Sequence, residues 1–440
     1  MQRIYPMGRW MRMGRATAVE GRRGGYLAIC VMMLLVFVAP LSALFEGCDA
    51  SDGVDSIYDS LNDRQKKAYE GLDEAVKSGR TLSGLDYLSV KEGEEVMHAF
   101  MYDHPEVWYF TSNWKLYVYV ESDRCVEFRF EPLFSQQEIW RMNAELASAI
   151  PPMDTTFVNS DHKMVMRIHD WLCKNVTYVD RVQGDPRDHK GDIYGVFVER
   201  QAVCEGYTMA FTYLCHKYGL DCVGVVGSTY KSGGASDHAW NLVKVDGGWY
   251  FVDVTWDDSA VSKGGYRVDD WEWKVKRDYM LVGSQTMTSH GTFAYGNHKA
   301  DSLYGIIPSS SAHVLKKASP PALPGLSFFD GTEKTGVPQT EGYAVIGGTG
   351  TERGEYTAML VLQPDYIWSD GTIGGKGVRW YILDPLLTIS IVALVAAIPV
   401  IILTIRIVRR KSGRICPSCG WNLGKDDEFC PSCGLYRERR

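Results

Sequence analysis

The chain has 440 residues, which is too long for one ordinary domain, so two or three domains are expected. With 45% hydrophobic and 23% charged residues, its composition is that of a folded protein and excludes a largely disordered chain. The net charge of −7 conceals basic segments at both ends, before Tyr26 and from Arg406 onward, and a strongly acidic middle that argues against a nucleic-acid substrate.

The first residues predict a membrane segment. Residues 1–25 form a basic arm with six arginines and one acid, and the uncharged run 26–45 is long enough to cross a bilayer. Either a cleaved signal peptide or a retained signal anchor fits this pattern, and the lack of a clean small-x-small cleavage pattern favours the anchor. The arginines keep the N-terminus in the cytoplasm, so the residues that follow are expected outside it.

Residues 52–159 predict an N-terminal region of helices and strands. Asn62 and Gln65 have the spacing of a helix N-cap. The runs 115–121 and 125–130 alternate in polarity around a short polar turn, which predicts a hairpin. A further helix is expected over 136–150.

Residues 160–303 form the region in which the most distinctive motifs occur. A helix is expected over 160–175. After Cys204, apolar residues recur on one helical face until Gly219, a natural stop. The apolar positions are Tyr207, Phe211, Leu214, Cys215 and Tyr218.

Two strand-like runs follow this helix. His238 opens the first run, Gly247 and Gly248 make a turn, and the returning run carries Asp253 in its middle. Such a hairpin sets Asp253 beside His238, and the preceding helix can present Cys204 to His238 from the other side.

These residue types are the ones that cysteine-dependent amide chemistry requires. Only the thiolate attacks well, and a helix N-terminus favours negative charge, so Cys204 lies where a thiolate is stabilised. His238 would take the thiol proton and later protonate the leaving amine. Asp253 would fix the His238 tautomer and support its charged form. A single cysteine or histidine is more often structural, so the prediction depends on all three occurring in this order.

The same motifs resemble the transglutaminase-like superfamily, which has a papain-type Cys-His-Asp arrangement. The resemblance rests on VCEGY around Cys204, HAWN around His238 and WYFVDVTWDD around Asp253, with IHDWLCKNVTY upstream and RDYMLVGSQTMTSH downstream. It implies an α+β domain in which the nucleophile helix packs on an antiparallel sheet. It also implies a cysteine nucleophile that acts on amide bonds, by hydrolysis or by transfer to an amine. The segment DHPEVWYF resembles the leader ahead of this domain in bacterial members of the family.

Other residues of these motifs are expected to shape the site. One oxyanion donor is expected to be the Cys204 backbone N–H, and no cofactor is expected for catalysis. The site-shaping residues are Gln201, Trp240, Asn241 and Asp258. The other cysteines of the middle form no dense framework, so free core thiols are favoured, with a single bridge among Cys173, Cys215 and Cys222 as the alternative.

The last third of the chain predicts a spacer and a membrane span. Residues 308–324 have the composition of an extended linker. Residues 326–382 contain short alternating runs that resemble small immunoglobulin-like modules of bacterial surface proteins. Residues 386–405 are uncharged and long enough to cross a bilayer, and the basic residues that follow put the C-terminus in the cytoplasm.

Residues 414–435 predict a zinc ribbon. Two Cys-Pro-Ser-Cys knuckles supply Cys416, Cys419, Cys430 and Cys433. This spacing fits tetrahedral zinc, and so short a tail needs a metal to fold. A redox pair or disulfides are the alternatives, and a reducing cytoplasm disfavours them. The zinc is expected to be structural, and the cytoplasmic partner of the ribbon stays unknown.

Together these patterns favour a membrane-anchored, extracytoplasmic thiol enzyme that acts on a peptide or protein substrate, such as one at the cell wall, with both chain termini in the cytoplasm. The alternative belongs to another class: a non-catalytic cell-surface protein that uses the same domain to bind or sense a ligand.

Overall fold

The computed structural model describes residues 2–6, 57–78, 80–110, 114–119, 121–130, 133–180, 185, 187–231, 234–258, 275–322, 325–411, 415–424 and 427–436. The predicted signal anchor at 26–45 lies outside these residues. The chain divides into two compact units, Met1–Leu315 and Lys316–Arg440. The boundary falls inside the predicted linker at 308–324.

The first unit mixes helices and strands. Its helices are α1 (Ile57–Ser60), α2 (Asp63–Ser78), α3 (Val90–Asp103), α4 (Gln136–Ala149), α5 (Asp161–Asn175), α6 (Cys204–Lys217) and α7 (Val254–Asp257). Its strands are β1 (Gln2–Pro6), β2 (Leu82–Ser83), β3 (Trp114–Tyr119), β4 (Arg124–Phe130), β5 (Thr177–Tyr178), β6 (Gln201–Ala202), β7 (Cys222–Lys231), β8 (Gly234–Val245), β9 (Gly248–Val252), β10 (Met287–Thr288), β11 (Gly291–Thr292) and β12 (His298–Ala300).

The predicted helix cap and hairpin of the N-terminal region are confirmed. Asn62 Oδ1 accepts the backbone N–H groups of Arg64 and Gln65, and the Gln65 side chain accepts the Asn62 N–H. β3 and β4 pair antiparallel around a turn in which Asp123 adopts φ 49°. These two strands are the centre of a sheet with the order β1-β3-β4-β2.

The pairing of β1 with β3 differs from the expectation of a cytoplasmic arm. Gln2–Pro6 runs antiparallel to β3 over five residue pairs. An arm on the far side of a membrane could not make this pairing if the rest of the unit lies outside. The pairing and the predicted position of the N-terminus therefore exclude each other.

The sheet that carries His238 has the order β12-β7-β8-β9, with every neighbouring pair antiparallel. Helix α6 packs on one face of it, because Asn241 on β8 donates to Thr208 O at 3.1 Å and to Thr212 Oγ1 at 2.9 Å. Since side chains alternate along a strand, His238 and Trp240 belong to the opposite face. The predicted α+β arrangement of a helix on an antiparallel sheet is present.

The regions 52–159 and 160–303, predicted as separate, share one hydrophobic core. Helix α3 and strand β7 approach each other closely. A Cβ atom on Gly224 would lie 2.1 Å from the Tyr102 ring, so only glycine lets the two elements meet there. The first half of the predicted linker also belongs to this unit, since Ser309 N–H bonds Trp249 O and His313 N–H bonds Leu281 O.

The second unit contains a β module and a long helix. Its strands are β13 (Lys316–Ala318), β14 (Leu326–Phe328), β15 (Lys334–Thr335), β16 (Tyr343–Ile346), β17 (Thr349–Gly350), β18 (Gly354–Leu362), β19 (Tyr366–Trp368) and β20 (Lys376–Leu383), and its helix is α8 (Pro385–Lys411). The main sheet has the order β14-β20-β18-β16 and covers a small core around Trp368 and Trp380. The module starts at Lys316 instead of residue 326, because β13 pairs with β19.

Helix α8 is apolar on all sides, and its apolar side chains are exposed in the structure. Its segment Pro385–Val408 has the length and composition of a membrane span. Asp384 caps its start by accepting the N–H groups of Leu386 and Leu387.

Candidate active site and candidate zinc site

Cys204 is the first residue of α6. The chain enters this helix from an extended Val203, whose N–H bonds Lys190 O at 2.8 Å. The helix start lies tightly against the turn at Lys190, because a Cβ atom on Gly206 would be 2.4 Å from that same oxygen. The thiol is therefore held at the positive end of the helix dipole.

Accessibility separates Cys204 from the other cysteines of the first unit. Cys204 is half-buried, whereas the other described cysteines of this unit are buried and free. These are Cys125, Cys173, Cys215 and Cys222. The alternative of a disulfide among the last three is not what the structure shows.

The side chains of His238, on β8, and Asp253, directly after β9, are in contact. His238 Nε2 lies 2.8 Å from Asp253 Oδ2, and their side chains are 7% and 1% exposed. His238 also lies near enough to the Cys204 side chain for that thiol to raise the pKa of His238. Because Nε2 is engaged with the carboxylate, Nδ1 is the ring nitrogen that remains for the thiol. The three residues predicted from the motifs are thus brought together in the order thiol, imidazole, carboxylate.

The electrostatics of this cluster favour charged partners. Burial opposes charge on His238, but Asp253 and Cys204 outweigh it and raise the pKa of His238 to about 10. Burial likewise opposes ionisation of Asp253, but the neighbouring histidines hold the pKa of its carboxyl well below its usual range. An ionised Asp253 beside a protonated His238 is the state in which an imidazolium can stabilise a thiolate.

A second histidine contacts the same carboxylate. His298 Nε2 lies 2.9 Å from Asp253 Oδ2, and the His298 side chain is completely buried. Its ring stacks on Phe293 with centroids 4.2 Å apart. Sequence reasoning missed His298, because it lies on a three-residue strand 45 positions after Asp253 and beyond the quoted motifs. His290, which ends the last motif, bonds the Tyr279 hydroxyl instead.

Of the four predicted site-shaping residues, Trp240 lies beside the catalytic histidine, and Gln201 is exposed. Trp240 is buried and its ring is roughly parallel to that of His238, with centroids 5.8 Å apart. Gln201 is exposed on β6, three positions before Cys204.

The other two brace the nucleophile helix. Asn241 bonds α6 from β8 on the face opposite His238. Asp258 is fully buried and accepts the Tyr207 hydroxyl of α6. Their positions indicate roles in holding α6 on the sheet.

Among the residues that the structure describes, two groups of side chains have donor atoms close enough for a metal. In the first, the donor atoms of His238, Asp253 and His298 lie within 4.8 Å of one another. These atoms already form hydrogen bonds with each other, so the cluster is a hydrogen-bond network in this structure.

The second group is the four C-terminal cysteines, which also lie within 4.8 Å of one another. Cys416 Sγ and Cys433 Sγ are 3.6 Å apart, and Cys419 Sγ and Cys430 Sγ are 3.5 Å apart. Tetrahedral zinc with Zn–S bonds of about 2.3 Å requires sulfur separations of about 3.8 Å, so this donor set fits zinc.

The backbone of the two knuckles repeats. Cys416 N–H bonds Trp421 O at 2.9 Å, and Cys430 N–H bonds Leu435 O at 2.8 Å. Each knuckle ends in a glycine with positive φ, 76° at Gly420 and 73° at Gly434. Two equivalent turns therefore each present two sulfurs to one point.

Comparisons with known proteins agree with this site. Residues 152–254 match the family model of the Transglutaminase-like superfamily. Kyphoscoliosis peptidase of Mus musculus is 31% identical over 118 residues, and that of Homo sapiens is 30% identical over 112 residues. Each match covers 23% of this chain and spans only 17% of the relative's length.

Two solved structures are also similar. A putative cysteine protease from Cytophaga hutchinsonii is 23% identical, with 21% of this chain and 30% of that chain covered and a TM-score of 0.18. A structure described as a TGase is 15% identical, with 32% and 37% covered and a TM-score of 0.23. Since the family match includes Cys204, His238 and Asp253, the chain contains a transglutaminase-like domain.

Proposed function

We propose that this protein is a thiol enzyme that cleaves or transfers peptide and protein amide bonds through a cysteine acyl-enzyme. The observation that carries the proposal is the contact series from Cys204 at a helix start, through buried His238, to buried Asp253. The name of the relatives, a peptidase, supports hydrolysis over transfer.

The geometry supports a two-step reaction. The Cys204 thiolate forms a bond to the amide carbonyl carbon, and the oxyanion is stabilised by the Cys204 backbone N–H, which belongs to the first helical turn and has no intrahelical acceptor. His238 gives its Nδ1 proton to the amine as the C–N bond breaks. Water or another amine then attacks the thioester, the C–S bond breaks, and the attacking group's proton goes to His238.

We further propose that the catalytic unit acts outside the cytoplasm and is anchored by α8. The support is the apolar exposed helix at Pro385–Val408, followed at once by basic residues that favour the cytoplasmic side. A substrate at the cell surface or cell wall fits this location. The zinc ribbon would then lie in the cytoplasm, where zinc held by its four cysteines would fold the tail for a partner of unknown identity.

Alkylation of the full-length protein in detergent tests the catalytic assignment. A thiol-reactive probe should label Cys204 fastest, and His238→Ala should slow that labelling steeply because the thiolate loses its cationic partner. Cys215→Ser is the matched control, since Cys215 is buried in the same helix. Labelled peptides with and without an added amine then separate hydrolysis from transfer.

Slow labelling of Cys204 that His238→Ala leaves unchanged would contradict the enzyme. That result would instead support the non-catalytic binding or sensing protein, in which the triad persists without use.

A further inference from the structure

His298 shares one carboxylate oxygen with the catalytic histidine. Both His238 Nε2 and His298 Nε2 lie within hydrogen-bond distance of Asp253 Oδ2, at 2.8 and 2.9 Å. The other oxygen, Oδ1, accepts the Trp256 N–H at 3.1 Å. An ionised carboxylate only accepts, so each histidine must carry a proton on Nε2.

The opposite side of the His298 ring determines its charge. His298 Nδ1 lies 2.7 Å from Asn297 Oδ1, while Asn297 Nδ2 donates to Thr288 Oγ1 at 2.7 Å. The Thr288 hydroxyl donates its single proton to Gly291 O, at 2.7 Å. Thr288 can therefore only accept from Asn297.

This relay fixes the orientation of the Asn297 amide. The NH₂ group must face Thr288, so the carbonyl oxygen faces His298. A carbonyl oxygen accepts and cannot donate, and His298 Nδ1 must carry a proton as well. With protons on both ring nitrogens, His298 is an imidazolium.

We propose that His298 is a positioning residue of the catalytic site. It is a buried cation that holds Asp253 in place and reduces the extent to which Asp253 raises the proton affinity of His238. The proposal rests on the proposed function, because it assigns a task within the same reaction. A general acid works best when its proton affinity matches the operating pH, and a histidine held by an unopposed buried carboxylate would release its proton reluctantly. A second cation 5.7 Å from the His238 ring opposes that excess stabilisation.

The carboxylate in contact with His298 is that of Asp253. His238 faces it from β8, and the Tyr279 ring is 5.8 Å away. His290 lies beyond Trp256 and bonds Tyr279 rather than Asp253. Lys299, next on the strand, is exposed.

The test is the pH profile for alkylation of Cys204 by iodoacetate in the full-length protein. This anionic reagent reacts best with a thiolate beside an imidazolium, so the rate falls at alkaline pH as His238 loses its proton. In His298→Gln the amide can still donate to Asp253, but the cation is gone. The alkaline midpoint should therefore rise by roughly one to two pH units, as expected for a unit charge removed from about 6 Å.

Asn297→Leu provides a second variant in case His298→Gln does not fold. It keeps His298 but removes the acceptor at Nδ1, which favours the neutral ring, so the midpoint should move in the same direction by a smaller amount. His290→Gln is the matched control and should leave the midpoint unchanged.

An unchanged or lowered midpoint in both variants would overturn the proposal. The wild-type profile tests the proposed function separately. If His238→Ala leaves the wild-type alkaline limb intact, the thiolate–imidazolium pair itself is wrong, whatever His298 does.

Discussion

His169 Nε2 on α5 lies 3.1 Å from Asp257 Oδ2, and both side chains are fully buried. Asp257 is the last residue of the short helix α7, and Asp253 is the N-cap of that helix. Asp257 also accepts the backbone N–H of Tyr279. Helix α7 therefore begins at the catalytic Asp253, and His169 holds its other end by contacting Asp257.

The first prediction concerns this contact. Burial disfavours charge on His169, but the neighbouring Cys173 and carboxylates outweigh burial and hold the pKa of His169 above its ordinary value. His169→Gln removes the positive charge beside buried Asp257, whose other donors are the backbone N–H groups of Asp278 and Tyr279. We expect a loss of roughly 3–5 kcal/mol in the free energy of unfolding, together with slower alkylation of Cys204.

Lys174→Gln is the control for this prediction, because Lys174 is exposed on the same helix. It should change the free energy of unfolding by less than about 0.5 kcal/mol. Equal losses in both variants, measured by denaturant titration, would show that the His169–Asp257 contact has no special role.

The second prediction concerns the roles of the three catalytic residues. Cys204→Ala should stop turnover, because the other described cysteines of this unit are buried and cannot replace the nucleophile. Asp253→Asn keeps the shape but favours the wrong His238 tautomer, so kcat should fall on the order of a hundredfold or more while the fold survives. Full turnover by Cys204→Ala on a verified peptide substrate would refute the assignment.

Local patterns in the sequence were enough to predict several of these features. The turn between β8 and β9 has positive φ at Asp246 and Gly247, 50° and 81°. The adjacent glycines Gly247 and Gly248 predicted this turn. The turn fixes the hairpin, and the hairpin brings His238 to Asp253. Where adjacent residues determine the geometry, the sequence was sufficient.

Contacts between distant segments could not be predicted in the same way. His298 reaches Asp253 only because β12 adds to the edge of β7, a pairing of three residues without a periodic pattern. The regions 52–159 and 160–303 join partly through Tyr102, which fits against Gly224. No sequence pattern indicates that Gly224 and Tyr102 are in contact.

The third prediction concerns zinc. Cys430→Ser should release one zinc per chain, measured by metal analysis of the purified protein, because the remaining three sulfurs cannot complete a tetrahedral site. Ser432→Ala, in the same knuckle, should retain the metal. Peptide turnover should be unchanged in both variants, and a joint loss of metal and turnover would contradict a purely structural zinc.

The fourth prediction concerns topology. Protease added to sealed membranes that keep the native orientation should digest the first unit and spare the ribbon, since basic residues follow α8. An N-terminal tag distinguishes the two possible positions of the arm, because protection of the tag until the membrane is permeabilised would support a cytoplasmic arm. A tag that is digested from outside would refute the cytoplasmic arm and would agree with the pairing of β1 with β3.

The last prediction concerns acid stability and begins with His162. This side chain is 5% exposed, and its Nδ1 lies 2.8 Å from Nδ1 of His313, which also contacts Asp246 through Nε2. Burial, followed by the nearby positive charge of His313, lowers the pKa of His162 to about 3.

Between the ordinary value of 6.5 and about pH 3, unfolded chains bind a proton at His162 that the folded chain does not. Stability therefore falls as the pH falls through this window, by up to about 1.4 kcal/mol per pH unit. His162→Gln removes this term, so its thermal midpoint should depend less steeply on pH between 6.5 and 4 than that of the wild type.

His104 is a control of opposite sign: burial opposes its charge, but Glu106 outweighs burial and raises the pKa of His104. The stabilisation from its protonation is fully present below pH 6.5 and is lost as the pH rises above that value, so His104→Gln should leave the slope between pH 6.5 and 4 unchanged and should weaken the loss of stability above pH 6.5. An equal change of slope between pH 6.5 and 4 in both variants would refute the assignment of these two histidines.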